Sequence, residues 1–527
     1  MAKYTINDTT LTSIADAIRA KGGTSAALTP TQMPEAIAAI QAGGGGGTPS
    51  ASPESVNFYD YDGTLLYSYT LEEATALSAL PDAPTHEGLT FQCWNWSLDK
   101  IKALERSMNV GATYITSDGK TRIHIHLDEG RTSPMLGVCP NGTVDVDWGD
   151  GSAHDTLTGT SVTSVKWTPT HNYAASGDYV ISLTVDGEMS FSGSSAENEG
   201  STILRYSAGA DARNYAYSCA VDRVHIGNGV TSIGEYAFYQ FSSLAKITIP
   251  DGVTSIGEYA FCQCYSLTQA ILPNGVTSIG QYAFQSCYSL TQAILPDGVT
   301  SIGKNAFHNC YSLTQVTLPD GVTSIDESAF QNCTSLKKVT FPDNVTSIGK
   351  NAFIQCRSLT ELTIPDGVMS IGDAAFQSCY SLTKVTLPDS VKNINYSAFA
   401  YCDSLTEVTI PRGVTSIGQY VFYQCLGLRV VTIQSNVANG VYMFNKCRAL
   451  RYVRFARNVA TIGDLAFSDC KCAGVYDFSE LSSVPTLGTN VFANNPADFE
   501  IRVPSALYDK WIAATNWSTY ASQIVAV

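Results

Sequence analysis

The sequence predicts a multidomain, mainly β chain with short helices, in which small N-terminal modules precede a curved solenoid of twelve coils. Three observations predict it. Phenylalanine recurs every 23 residues from Phe238 to Phe422 and continues at Phe444, Phe467 and Phe492. Within each period a short apolar run, a Pro-Asp-Gly turn and a second apolar run recur in the same order, a signature of stacked units. Upstream of residue 221 the period is absent, and alternating apolar runs separated by glycine turns take its place. A length of 527 residues fits three or four domains.

Charge narrows the partners. With 47 acidic against 31 basic residues, the formal net charge is -16. Nucleic-acid binding needs clustered Lys and Arg, so that class is excluded, as is an anionic membrane surface. No apolar stretch approaches the roughly 20 residues of a membrane span. The segment "MAKYTINDTTLTSIADAIRAKGG" lacks the pattern of a secretory signal, and "SQIVAV" shows no anchoring signal. The expectation is a protein made in the cytoplasm which, if it acts outside a cell, is carried there by a route other than Sec.

The elements follow in order. Residues 1–41 read as a hairpin of two short helices. Leu11, Ile14, Ala15 and Ile18 form one apolar stripe, and Ile37, Ala38 and Ile40 a second. Neither helix is long enough to stand alone, so the hairpin is an anchor that docks on a partner or self-associates into a homo-oligomer. Residues 42–54, "AGGGGGTPSASPE", form a flexible linker. In 55–106, alternation through Val56, Phe58 and Tyr61 and through Leu65, Tyr67 and Tyr69, around Asp62-Gly63, predicts a hairpin. A short helix over 71–79 and a strand through Phe91 and Trp94 follow. This module is similar to the β-grasp-like repeats found beside leucine-rich arrays and implies a spacer. Residues 107–195 carry "GTVDVDWGDGSAHD" and "HNYAASGDYVISLTV"; Trp148 to Gly151, Tyr173, Gly177 and Tyr179 resemble the PKD-like, immunoglobulin-type β-sandwich, again a stalk unit. Residues 196–220 are polar and predict a junction with an N-terminal cap.

The solenoid spans 221–503. In the coil beginning at Leu290, Leu290, Ala293 and Leu295 mark a strand, Pro296-Asp297-Gly298 a turn, and Val299 with Ile302 a second extended piece. Ala306, Phe307 and Cys310 then lie at helical spacing, predicting about two helical turns with one face inward. One coil cannot bury that face; stacked coils can. Rungs about 4.8 Å apart make a bent rod on the order of 55 Å long. Residues 504–527 predict a C-terminal cap in which Trp511 and Trp517 cover the last coil. Ten of the fifteen cysteines, Cys264 to Cys470, share one repeat position, which favours buried reduced thiols over disulfides or a metal.

The unit "LPDGVTSIGxxAFxxCxSLT" over about 221–503 closely resembles the BspA-type leucine-rich repeat of bacterial surface and phage-associated proteins. The segment "TLTSIADAIRAKGG…LTPTQMPEAIAAI" resembles N-terminal modules of tail-associated structural proteins of phages and prophages of Gram-positive gut bacteria. Together these resemblances imply a non-enzymatic receptor-binding or adhesion protein of a virion tail. Its N-terminus would meet tail or baseplate proteins, and its solenoid a bacterial surface glycan or protein. The alternatives are a bacterial cell-surface adhesin and a polysaccharide-degrading tailspike.

No catalytic motif stands in a suitable context, and the sequence calls for no cofactor. His124 and His126 share one strand face, open either to a metal or to plain surface exposure. Asp145, Asp147 and Asp150 fail calcium-loop spacing because Gly149 occupies the third ligand place, leaving a structural turn at Asp150. Two outward columns vary between coils. One, two residues before the phenylalanine, holds Tyr236, Tyr259, Tyr282 and Tyr420; the other, after the cysteine, holds Tyr265, Tyr288, Tyr311, Arg357 and Tyr380. Such rows serve either ligand contact or coil stacking, and both readings are open.

Overall fold

The computed structural model describes residues 55–192, 203–206, 220–437, 440–456 and 459–527. The predicted helical hairpin, with Leu11, Ile14, Ile18, Ile37 and Ile40, and the glycine linker lie outside the described residues.

The first module is one four-stranded sheet with two short helices. Its elements are β1 (Ser55–Tyr59), β2 (Leu65–Thr70), α1 (Leu71–Thr75), β3 (Leu89–Trp94), α2 (Leu98–Lys102) and β4 (Met108–Thr116). The sheet order is β2-β1-β4-β3, with β1 and β4 parallel at its centre. The first turn closes where the Gly63 amide donates to Asp60 O at 2.9 Å, with Gly63 in the left-handed region at φ 84. Thr70 and Glu73 form a reciprocal capping box on α1. Val56, Phe58, Trp94, Trp96, Ile101 and Val110 fill a separate small core. Since β4 belongs to this sheet, the module runs through Thr116, past the predicted edge at 106.

The next strands are β5 (Thr121–Leu127), β6 (Pro134–Asp147), β7 (Asp155–Thr160), β8 (Lys166–Trp167), β9 (Gly177–Phe191), β10 (Leu204–Tyr206), β11 (Val221–His225), β12 (Val230–Ile233) and β13 (Lys246–Thr248). All nine join one sheet. β11 runs antiparallel to β5, and β12 pairs in parallel with β9. The expectation of an independent stalk unit ending near residue 195 therefore gives way to a sheet that continues into the solenoid. The reason is physical: a first coil exposes an apolar end and open backbone groups, and β5 and β9 cover both. One apolar core runs without a break from Ile123 to Ile524.

The rest of the chain is a β-solenoid of about 13 turns. Three-residue strands stack in register, Gln269↔Gln292, Ala270↔Ala293 and Ile271↔Ile294. Two-residue strands such as Ser278–Ile279 and Ser301–Ile302 form a second ladder. The predicted helical turns around Phe307 are absent. Ala306, Phe307 and Cys310 are buried as the spacing required, but Asn305 and Asn309 adopt left-handed φ of 56 and 62. The amides of Asn305, Phe307 and Asn309 donate to Glu327 O, Ala329 O and Gln331 O of the next coil, at 3.1, 2.8 and 2.9 Å. An α-helix would send these amides back four residues; here each coil completes its hydrogen bonds on its neighbour.

Inside, the phenylalanines stack at 5.1 Å between Phe261 and Phe284 and 5.3 Å between Phe284 and Phe307. The cysteine thiols lie fully buried and donate to the backbone, Cys310 Sγ to Phe284 O at 3.2 Å. The described cysteines are free thiols. At the C-terminus Trp511 and Trp517 are wholly buried, their rings 4.4 Å apart, and Trp517 Nε1 donates to Pro485 O at 2.8 Å. A last strand, Ile524–Ala526, pairs with Glu500–Val503 and adds a closing rung.

Candidate functional site

The two tyrosine columns form true ladders. Tyr236, Tyr259 and Tyr282 stack at 4.7 and 4.6 Å, and Tyr420 stacks on Tyr442 at 4.7 Å. Each of these five residues sits in the left-handed region. Tyr265, Tyr288 and Tyr311 stack at 4.8 and 5.0 Å, and Arg357 lies 5.8 Å over the Tyr380 ring. Within a ladder each ring face is covered by the next ring, so edges and hydroxyls are what point outward. Tyr288, Tyr311 and Tyr380 remain 38–39% exposed, whereas the Tyr236–Tyr282 row is half-buried. Burial, reinforced by Tyr282 and Tyr236, pushes the Tyr259 phenol up to about 12, so it stays protonated. Tyr396, 51% exposed, belongs with this surface and was missed. Its signal was available: it replaces Glu258, Gln281 or Lys304 at the equivalent place in other coils.

The strand face is divided. The first module lies on it from the coil at Asp251 to that at Asp320. Asn95 Nδ2 donates to Leu272 O at 3.2 Å, Trp96 Nε1 to Leu295 O at 3.1 Å, and Arg106 to both Leu318 O and Asp320 Oδ1 at 2.6 Å. Tyr59 and Leu65 pack on Ile271 and Ile294. Gly111 permits the approach, since a Cβ there would meet Ile271 Cγ2 at 2.5 Å. The sequence carries this patch: the outward place is isoleucine in those two coils and threonine at Thr317, Thr340, Thr363, Thr386, Thr409 and Thr432. Beyond the module no other described segment docks on the face. A shallow cleft of about 260 Å³ there is lined by Lys384, Thr386, Glu407, Thr409, Val430 and Thr432.

A family model for the BspA type leucine-rich repeat region matches residues 212–337, 323–440 and 369–498, together more than half of the chain. The chain belongs to the BspA-type leucine-rich repeat family. Among solved structures this BspA-type protein is similar to a leucine-rich repeat protein from Bacteroides ovatus, at 28% identity over 59% of this chain and 86% of that one, TM-score 0.48. It is also similar to a leucine rich cell surface protein from Faecalibacterium prausnitzii, at 28% identity over the same shares, TM-score 0.37. The T. pallidum leucine-rich repeat protein is 31% identical over 30% of this chain and 76% of its own, TM-score 0.28. No curated protein matches the sequence.

The histidines and aspartates of the BspA-type protein's long sheet have local partners. His126 Nδ1 lies 2.7 Å from Asp178, whereas His124 turns its ring to His225 at 5.8 Å, so the two do not converge on one point. His154 lies 2.9 Å from Asp145. Against the burial that would raise it, hydrogen bonds from Ser152 and His171 hold Asp150 at about 2. The His171 ring stacks on Trp148 at 4.5 Å, and Trp148 Nε1 donates to Asp155 at 2.9 Å. Among the described residues no group of three His, Cys, Asp or Glu side chains is placed to hold a metal.

Proposed function

We propose that this BspA-type protein is a non-enzymatic recognition protein of the bacterial cell-surface kind. It binds a surface glycan or protein through the open strand face of its later coils and the exposed tyrosine edges. The observation that carries this reading is the division of the strand face: the module occupies the early coils, and the later ones present threonines and opposite charges over a rigid, regular span. Many weak contacts along such a surface add up when several copies act together. Purified full-length protein on bacterial cells and on a glycan array provides the test. Binding weakened by Lys384→Glu with Glu407→Lys, or by joint Tyr288→Ala, Tyr311→Ala and Tyr380→Ala, supports the reading. Binding indifferent to both sets, or release of reducing ends from the bound glycan, overturns it.

A second reading is favoured by the sequence of residues 5–41 and the glycine tether behind it: attachment to a phage tail or baseplate, with the hairpin as docking or self-association element. Loss of the protein from purified particles on deletion of 1–41 supports that placement. On this reading the long sheet includes the PKD-like unit expected over 107–195, supported by the Trp148, His171 and Tyr173 cluster.

A further inference from the structure

The chain carries a net charge of -16, yet one edge of its long sheet collects basic side chains. Where the first module meets the long sheet, a cleft of about 370 Å³ is lined by Thr116, Ser117, Arg122, His124, Arg223 and His225 among others. The sheet register forces the cations together. Arg223 is directly opposite His124 on one side and Lys246 on the other, and His225 is opposite Arg122. Of these pairs Arg223 with Lys246 is one of like charge, and like charges directly across strands are destabilising, so this arrangement wants a counter-charge.

The protein supplies it only in part. Asp118 holds Arg122 at 2.6 and 2.9 Å, Asp62 reaches Lys246 at 4.0 Å, and Glu87 stands on the rim. Arg223 is exposed and has no ion pair among the described residues. The His225 ring has Thr248 Oγ1 at 3.2 Å and His124 edge-on at 5.8 Å. Burial, then the neighbouring His124 and arginines, push His225 down to about 4, and burial with Arg223 lowers His124. Burial is the larger cause for both imidazoles; the cationic neighbours act in the same direction, and only Asp222 opposes them at His124. Ser117 Oγ accepts from Thr90 Oγ1 at 3.1 Å, which leaves its own proton for a guest. The volume sits at the lower end of small-molecule sites, fitting one sugar ring.

We propose that this cleft binds a small organic anion of monosaccharide size, its carboxylate or phosphate held by Arg223 and by the His124 and His225 ring nitrogens, its hydroxyls by Ser117. The site is separate from the open solenoid face and stands whether or not that face binds. The test is calorimetric titration of the full-length protein with glucuronate, glucose 6-phosphate and glucose, with histidine NMR alongside. Either acid binding while glucose does not, with His124 and His225 titrating at higher pH in the complex, is the expected result; which acid binds distinguishes carboxylate from phosphate. Arg223→Gln should weaken binding at least tenfold at unchanged melting temperature, and Arg223→Lys should restore part of it. Glucose binding as tightly as the acids, neither acid binding at millimolar concentration, or unchanged affinity in Arg223→Gln overturns the proposal.

Discussion

At the scale of the residue, the columns that build the interior behave as a single stack. Phe330 lies 5.3 Å from both Phe307 and Phe353 and is wholly buried. Phe330→Ala should cost about 3–5 kcal/mol, read as a drop in unfolding free energy in urea. The ladder thiols are desolvated, Cys379 up to about 12 and Cys310 well above the usual thiol range, so they carry no thiolate at neutral pH. In the folded protein at pH 8, iodoacetamide should therefore spare Cys264 to Cys470 and label the partly exposed Cys472, as mapped by mass spectrometry. His225 gives a pH signature. Between about 6.5 and 4 the unfolded chain takes up a proton that the folded one does not, first because the His225 ring is buried and then because His124 and Arg122 on β5, Arg223 on its own strand and Lys246 on β13 press on it. Stability is thus full above about 6.5 and falls as the solution is acidified toward 4. His225→Gln should flatten that slope in a pH series of thermal melts.

At the scale of the element, inward and outward assignments were legible from spacing alone, because Ala, Phe and Cys at fixed places admit one buried side. Backbone conformation was not. Tyr282, Asn305 and Ser328 share a left-handed site that no glycine marks, where each amide donates to a carbonyl of the adjacent coil. The tyrosine rows were legible as outward columns, but their face-to-face stacking needed the rung spacing. The docked module was written in the sequence as Ile271 and Ile294 in place of threonine, a contrast visible only once the outward side of that strand is known. Ile294 is 1% exposed beneath Tyr59 and Leu65. Ile294→Asp would trap an unpaired carboxylate there, so the module should lift off, with faster hydrogen exchange in 108–116 and little change in 361–503.

At the scale of the whole molecule, the separate core of 55–116 and the unbroken core from Ile123 to Ile524 predict two calorimetric transitions, the larger one belonging to the long sheet and solenoid together. Trp517→Ala should lower that larger transition alone, since the indole seals the last coil against Phe478 and Phe492. Both ends of the rod are thus fixed fittings, while the length between them is set by how many times one 23-residue phrase is written. Splicing one more copy in after residue 340 would carry the tryptophan plug about 4.8 Å farther out and leave the seat of the N-terminal module untouched. The near-duplicate stretches of 256–315 offer recombination its template, so the gene can lengthen or shorten the reach of this protein without redesigning either end.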